Sequence, residues 1–306
     1  MKDGAVHHFI RRFTCHAPYI DLSNRVLGNR LILDDVNQLL GWLFLDKKEP
    51  KWLVADAVGP VPALELNVSS RLQRKLFFFP TAWGLHWLNA PLGQYMKGVL
   101  KPGDKFFDIG ANLGIYSFLA ARLVGATGSV VSFEPEADIF ESLQRSVNRN
   151  EFLQIRCIQV ALSDENTEST LFVSWHGGAN SLVPEKGRYR DSMKVLARRL
   201  DDFADEAHID VTGVALMKID VEGHEAATVR GMLGTLRRAG YPRLWIEVRG
   251  PNGSVRAPNT FASVHEALSG IGYVPHRFSD GDVTQAAPES VLGREDILFL
   301  HPDGPA

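Results

Sequence analysis

Two glycines, an aspartate and an asparagine are grouped in the run Phe-Asp-Ile-Gly-Ala-Asn-Leu-Gly at 107–114. Gly110 permits a tight turn, and Gly114 is expected to let the chain pass close to a ligand at a helix N-terminus. Glu134 follows twenty residues after Gly114. An acidic side chain at that distance can accept hydrogen bonds from both hydroxyls of a ribose. The spacing therefore indicates a nucleotide-type site.

The glycine spacing separates two classes of nucleotide. A dinucleotide fingerprint reads G-x-G-x-x-G, whereas here the two glycines are four residues apart and Asp108 precedes the first by two. A carboxylate beside the turn would repel a pyrophosphate and attract a cation. S-adenosylmethionine carries such a cation, so the run favours that ligand. The alternative is a pair of packing glycines beside a solvated aspartate.

A second group of polar residues lies in the run 217–225, Met-Lys-Ile-Asp-Val-Glu-Gly-His-Glu. In an extended chain Lys218, Asp220 and Glu222 share one side, at the carboxyl end of a strand where ligands bind in parallel sheets. Glu222 and Glu225 could instead favour the N-terminus of a helix, and His224 could be a cap or a packing residue. Asp220 is the hardest of these to explain as packing, because buried strands seldom end in an unpaired carboxylate.

Glu247 lies near the end of a further predicted strand and could reach the same crevice as Asp220. The alternative for Glu247 is an ion pair with Arg249 or Lys218. Candidate catalytic residues are therefore Asp220 and His224, with Glu247 third.

Alternating strand and helix patterns must position these residues. From Lys101 onward, short β-branched or aromatic runs alternate with helical periodicity, which predicts a parallel sheet with helices on both faces. The predicted strands are Phe106–Ile109, Ser129–Phe133, Ile155–Leu162, Leu216–Val221 and Leu244–Val248. Helices are predicted around Leu113–Val124, Ile139–Val147, Val229–Leu236 and Phe261–Leu268, and two closing strands, Tyr273–Phe278 and Asp296–Leu300, are expected to pair antiparallel.

The alternation lapses between Ser163 and Asp210. This stretch contains a predicted edge strand, Ser169–Trp175, and a basic segment, Lys186–Arg199. Long excursions at the carboxyl edge of a parallel sheet are usually functional, so we expect this one to contact substrate. The side chains that could bind an acceptor there, unless they are ordinary loop residues, are Trp175, His176 and Asn180.

Residues 1–99 are less regular and are predicted to be an extension packed on a main domain at 100–306. Strand-like runs occur at 51–56, 63–68 and 74–79, and a helix is predicted over Pro91–Val99. Aromatic residues are concentrated at 77–87, where Trp83 and Trp87 could face a sugar or lipid acceptor. They could equally well cover the sheet.

Composition narrows the class of protein. The chain has 306 residues, 45% hydrophobic and 23% charged, with a formal charge of −3, so no basic field favours nucleic acid. Two cysteines exclude a disulfide framework and a cysteine-based zinc site, and they suit a cytoplasmic protein. No apolar run approaches the ~18 residues of a membrane span.

Five sequence runs together resemble the FkbM family of S-adenosylmethionine-dependent methyltransferases. The runs are 107–114, 133–135 (Phe-Glu-Pro), 160–164 (Val-Ala-Leu-Ser-Asp), 200–202 (Leu-Asp-Asp) and 218–225, followed by 245–248 (Trp-Ile-Glu-Val) in the family's order. The resemblance spans about Pro102 to Phe278 and is weakest in residues 1–99.

The resemblance implies an α/β fold of the class I methyltransferase (Rossmann-like) type, with seven mostly parallel strands of which the last is antiparallel. It also implies O-methylation of a hydroxyl on a sugar, glycolipid or polyketide-type metabolite. The implied cofactor contacts are Asp108 and Gly110 at the methionine end, with Asn112 and Gly114 in the same turn, Glu134 at the ribose, and Ser163 and Asp164 at the adenine edge.

Two mechanisms for activating the acceptor hydroxyl compete for the same residues. His224 could take the proton directly while Asp220 orients it, or Asp220 and Glu247 could hold Mg²⁺ to lower the hydroxyl pKa. We favour the direct base and predict no metal site, because two carboxylates are a thin ligand set. A nicotinamide-dependent sugar oxidoreductase and a catalytically silent binding domain are the alternative functions.

Overall fold

The computed structural model describes residues 52–55, 62–67, 89–174, 179–185, 187, 189–252 and 260–305. In chain order its strands are β1 (Trp52–Ala55), β2 (Leu64–Asn67), β3 (Lys105–Ile109), β4 (Ser129–Phe133), β5 (Ile155–Ile158), β6 (Ala161–Leu162), β7 (Thr167–Ser174), β8 (Tyr189–Arg198), β9 (Val214–Ile219), β10 (Arg243–Arg249), β11 (Val274–Ser279), β12 (Asp282–Gln285) and β13 (Arg294–Leu300). The helices are α1 (Pro91–Val99), α2 (Ile115–Val124), α3 (Ala137–Arg149), α4 (Leu200–Glu206), α5 (Glu225–Arg230), α6 (Leu233–Arg238) and α7 (Thr260–Ser269), with a short 3₁₀ turn at Pro288–Ser290.

The main sheet has eight strands in the order β12-β11-β13-β10-β9-β3-β4-β5. β5, β4, β3, β9 and β10 run parallel, and β13 inserts antiparallel between β10 and β11. The fold class and the antiparallel last strand are thus confirmed. The strand count is one higher than expected, because β12 turns back from β11 as a hairpin at the edge.

Helices cover both faces of this sheet because successive strand residues point to opposite sides. In β3, Phe106 packs with α1, α2 and α3, whereas its neighbour Phe107 packs with α4, α5, α6 and α7. Both phenylalanines are fully buried. The strands β3, β4, β9 and β10 are therefore buried on both faces, and their polar residues concentrate at the carboxyl ends.

Two of the predicted elements are divided in the structure. The strand expected at Ile155–Leu162 ends at Ile158, and Ala161–Leu162 belongs to a separate three-stranded sheet in the order β6-β8-β7. The basic segment Lys186–Arg199 contains β8, which pairs antiparallel with β7. The helix expected over Val229–Leu236 is broken into α5 and α6 at Gly231, where a side chain would lie 1.8 Å from the Ser163 carbonyl oxygen.

The described part of residues 1–99 contacts α3. In the β1–β2 hairpin, the Glu65 amide donates to Ser146 Oγ at 2.9 Å, and Asn150 Nδ2 donates to the Ala63 carbonyl at 2.6 Å. Leu64 and Leu66 of β2 join the core on the α3 side of the sheet. The aromatic residues at 77–87 lie outside the described residues, and the domain division at residue 100 stays a prediction. No helix in the described ranges is long and apolar enough to cross a bilayer.

Candidate active site

A tight turn after β3 forms the floor of a cavity that is also lined by Glu134 and Asp220. The amides of Gly110 and Ala111 both donate to the Phe133 carbonyl, at 3.0 and 2.9 Å, which fastens the turn to β4. Gly110 has a φ of 77°, and a Cβ there would lie 2.0 Å from the Asp220 carbonyl oxygen. Only glycine fits, because any side chain would drive the turn away from the end of β9.

Glu134 lies in the wall of the same cavity, directly after β4. Its two carboxylate oxygens accept the amides of Asn112 and Glu136, each at 2.9 Å. Burial is the main cause that raises the pKa of Glu134 to about 7, and Lys218 opposes the rise. The carboxylate is thus held toward the cavity by the backbone on both sides.

Asp108 lies beneath the cavity and is absent from its wall. Its side chain is fully buried, with Oδ2 accepting from Ser117 Oγ at 2.6 Å and Oδ1 lying 3.3 Å from Lys218 Nζ. Ser117 Oγ is also 2.8 Å from Ser132 Oγ. The resemblance implied a direct contact between Asp108 and the ligand, whereas the structure makes Asp108 a support for the cavity floor.

Gly114 is likewise outside the cavity wall. It has a φ of 80° at the N-terminus of α2, and a Cβ there would lie 2.3 Å from Leu143 Cδ1 of α3. The expected close approach of a ligand at this glycine stays a prediction. The glycine provides room for packing between α2 and α3.

Asp220 follows β9 and lines the cavity opposite Glu134. Its amide donates to the Ile109 carbonyl at 3.1 Å, which holds it level with the glycine turn. Asp220 Oδ2 is 3.7 Å from Lys218 Nζ, and its side chain is 35% exposed. Tyr116 lies in the same wall, and burial together with the nearby carboxylates of Asp296, Asp220 and Asp108 raises its pKa.

Two arginines hold the other carboxylates of this region. Arg294 donates to both oxygens of Glu247, at 2.6 Å each, and to Glu222 Oε1 at 3.2 Å. Arg249 donates to Glu222 Oε2 at 2.8 Å. The alternative of an ion pair for Glu247 is therefore correct in kind, but its partner is Arg294 and not Arg249 or Lys218. Glu247 does not line the cavity.

Asp220, Glu222 and Glu247 together form the candidate cation cluster of the described residues, with ligand atoms within 4.8 Å of one another. Both oxygens of Glu247 and both of Glu222 already accept from guanidinium groups. Burial and the Asp220 carboxylate raise the pKa of Glu247 to about 7, and Arg294 opposes this rise. Asp220 is thus the member of the cluster whose carboxylate remains directed to the cavity.

His224 lines the cavity but turns away from Asp220. Its Nε2 lies 2.9 Å from Ser163 Oγ, and among the described residues it has neither a hydrogen bond nor an ion pair with Asp220. Ser163 Oγ reaches Asp164 Oδ1 at 3.4 Å, and Asp164 pairs with Arg230 at 2.7 Å. Burial lowers the pKa of His224, so the imidazole is neutral at pH 7. The expectation that Asp220 orients His224 is wrong.

Ser163 and Asp164 therefore bind protein groups and lie outside the cavity wall. Their expected contact with an adenine edge stays a prediction. An apolar stretch contributed by other residues occupies that end of the cavity: Ile139, Val160, Leu162 and Leu171. Of the predicted site residues, the cavity brings together Gly110, Asn112, Glu134, Asp220 and His224.

The excursion between β6 and α4 reaches the cavity, and its contact with substrate stays a prediction. Asn180 and Ser181 line it, and Ser181 Oγ donates to the Glu222 carbonyl at 2.8 Å. Asn180 Oδ1 accepts the Ser174 amide at 2.9 Å, so this amide side chain also shapes the loop. Trp175 and His176 lie outside the described residues.

The cavity suits S-adenosylmethionine on three observations. The Gly110 turn lines the cavity, Glu134 offers a carboxylate to ribose hydroxyls, and the apolar stretch beyond it matches a planar base. Asp220 supplies negative charge near the turn, where a cationic group would be favoured. The residues present therefore fit this cofactor.

Comparison with known proteins agrees with the resemblance. The family model described as "Methyltransferase FkbM domain" matches residues 108–275, which is more than half of the chain. The chain is 28% identical over 172 residues to the 31-O-demethyl-FK506 methyltransferase FkbM of Streptomyces tacrolimicus, covering 47% of this chain and 64% of that protein.

The chain is also 25% identical over 150 residues to Methyltransferase 1 of Beauveria bassiana, covering 43% of this chain and 59% of that protein. The chain thus spans less than two thirds of either curated relative. A crystal structure of methyltransferase FkbM from Methylobacillus flagellatus aligns with a TM-score of 0.42 at 16% identity, covering 74% of this chain and 54% of that chain. On the match of the family model, the chain belongs to the FkbM methyltransferase domain family.

Proposed function

We propose that the protein is an S-adenosylmethionine-dependent O-methyltransferase acting on a hydroxyl of a sugar, glycolipid or polyketide-type metabolite. One observation carries the proposal: a single cavity joins a turn that only glycine can form, a ribose-type carboxylate and the carboxylate of Asp220. The relative from Streptomyces tacrolimicus is a methyltransferase of 31-O-demethyl-FK506, which supports oxygen as the acceptor atom.

The cavity has two chemically different ends. Glu134 and the apolar stretch at Ile139 and Leu171 would hold the nucleoside part of the cofactor, and the Gly110 turn its methionine part. Tyr116, Asp220 and Glu222 form the other end, which would receive the acceptor. When bound, the cofactor supplies an electrophilic methyl group on a sulfonium. The protein then has to align the acceptor oxygen with that methyl group and remove the proton of the acceptor hydroxyl.

Asp220 is the base that this geometry supports best. Its carboxylate faces the cavity, its backbone is tied to β3, and Lys218 lies 3.7 Å away. Glu222 also lines the cavity, but its two carboxylate oxygens are paired with Arg249 and Arg294, and Glu247 lies outside the cavity wall, paired with Arg294. Because His224 is bonded to Ser163 at the nucleoside end, we assign it a role in shaping that end.

Methyl transfer can be tested with S-adenosylmethionine carrying a ¹³C-labelled methyl group. The purified protein would be incubated with a panel of hydroxylated sugars, glycolipids and macrolides, and the products analysed by mass spectrometry and NMR. A labelled methyl group on an oxygen, lost in Asp220→Asn, supports the proposal. Label on nitrogen or carbon would contradict the assignment to oxygen.

A further inference from the structure

Lys218 is a buried lysine in the wall of the proposed cofactor cavity. It lies on β9 in register with Asp108 of β3, and its side chain is only 5% exposed. A buried ammonium group is costly unless several acceptors surround it. The position therefore needs an explanation beyond packing.

The ammonium joins three parts of the site. Nζ donates to the Gly110 carbonyl at 2.6 Å and lies 3.3 Å from Asp108 Oδ1 and 3.7 Å from Asp220 Oδ2. It thus contacts the glycine turn, the support beneath it and the candidate base at once. These carboxylates raise the pKa of Lys218 against the opposing effect of burial, which keeps the ammonium charged.

The charges around Lys218 do not cancel. One ammonium faces two carboxylates in direct contact, and Glu134 also interacts with it across the cavity. Such a site keeps a surplus of negative charge where the cofactor's sulfonium would bind. Without Lys218 the surplus would increase by a full charge in a dry environment, where charges interact strongly.

We propose that Lys218 is a positioning residue that anchors the Gly110 turn and sets how strongly the site discriminates between cationic S-adenosylmethionine and neutral S-adenosylhomocysteine. This inference rests on the proposed function. It concerns a property that packing alone would not change, the ratio of two affinities. Losing the anchor weakens the binding of both ligands, whereas losing the positive charge favours the cationic ligand over the neutral one.

The test is calorimetry of both ligands at pH 8 with the wild-type protein and four variants. Lys218→Met should shift the affinity ratio about tenfold toward S-adenosylmethionine, and Asp108→Asn, which removes a negative charge, about tenfold toward S-adenosylhomocysteine. The double variant should return near the wild-type ratio. Lys105→Met is the matched control, because Lys105 pairs with Asp210 outside the site and should leave both affinities unchanged.

The outcomes separate the inference from the proposed function. If the wild type binds both ligands but Lys218→Met and Asp108→Asn leave the ratio unchanged, the inference is overturned and the function stands. Should Lys218→Met fail to fold, Asp108→Asn alone decides, since its side chain is nearly isosteric. If the wild type binds neither ligand, the proposed function itself fails.

Discussion

Replacing Glu134 with glutamine should weaken cofactor binding and remove a dependence of binding on pH. The wild-type carboxylate would accept hydrogen bonds from two ribose hydroxyls, and a bond to a charged acceptor contributes about 1.5–3 kcal/mol. Losing the charge while keeping one carbonyl oxygen should therefore cost about 1–3 kcal/mol, or roughly a 5- to 150-fold weaker affinity. Glutamine is preferable to alanine, because its carbonyl oxygen keeps an acceptor for one of the amides of Asn112 and Glu136, whereas alanine would leave both without one.

The pH dependence follows from the raised pKa of Glu134, about 7 in the folded protein. The ionised form is the better acceptor for both hydroxyls, so wild-type affinity should rise between pH 6 and pH 8. Stability changes in the opposite direction. Because the folded pKa exceeds the unfolded value of about 4.3, the folded state binds more protons in this window, and stability is lost as pH rises through 7.

The assay is calorimetric titration with S-adenosylhomocysteine at pH 6, 7 and 8, with thermal unfolding at each pH. Glu136→Gln is a matched control: Glu136 is buried two residues away and caps α3 through the amides of Asp138 and Ile139. The Glu136→Gln variant should be less stable than the wild type and should bind the cofactor with unchanged affinity. Equal affinity and equal pH dependence in wild type and Glu134→Gln would refute the role assigned to Glu134.

Three further predictions concern the turn, the base and the cation cluster. Gly110→Ala should abolish cofactor binding or folding, since its Cβ would lie 2.0 Å from the Asp220 carbonyl oxygen; normal calorimetric binding would mean the turn can shift. Asp220→Asn should lower kcat by roughly 10²-fold or more while cofactor affinity is retained, and His224→Ala should lower kcat less. If steady-state kinetics show the larger loss of kcat in His224→Ala, His224 and not Asp220 is the base. Chelator should leave activity unchanged, because Arg294 already occupies both oxygens of Glu247; activity lost with chelator and restored by Mg²⁺ would contradict this.

The parts of the site that lie close together in sequence could be predicted from it. Gly110, Asn112 and Glu134 follow consecutive strands, and parallel strands bring their carboxyl ends to one edge. Asp220 could be placed there for the same reason, because β9 is the neighbour of β3. The lack of a helical pattern between the two closing strands also predicted their antiparallel pairing.

The parts that depend on distant partners could not be predicted. Glu247 is held by Arg294 only because β13 inserts beside β10, a pairing that no local pattern encodes. The burial of Asp108 depends on Ser117 and Lys218, which approach from two different elements. For Lys218, the sequence offered one indication of its place beside Asp220: in an extended strand, alternate residues lie on the same side of the chain.

The break between α5 and α6 shows why helical periodicity is incomplete as a guide. Apolar residues continue at helical spacing from Val229 to Leu236, but Gly231 lies against the Ser163 carbonyl. The strand predicted to end at Leu162 is likewise divided, because Ala161 and Leu162 pair with β8. In both places tertiary contacts override a regular local pattern.

The central claim, that the cavity between Gly110, Glu134 and Asp220 binds S-adenosylmethionine, is tested most directly by titrating the wild-type protein with two ligands in separate calorimetric experiments. S-adenosylhomocysteine should bind with one-to-one stoichiometry, and NAD should show no binding at the same concentrations. Binding of NAD without binding of S-adenosylhomocysteine would contradict the claim and favour a nicotinamide-dependent oxidoreductase.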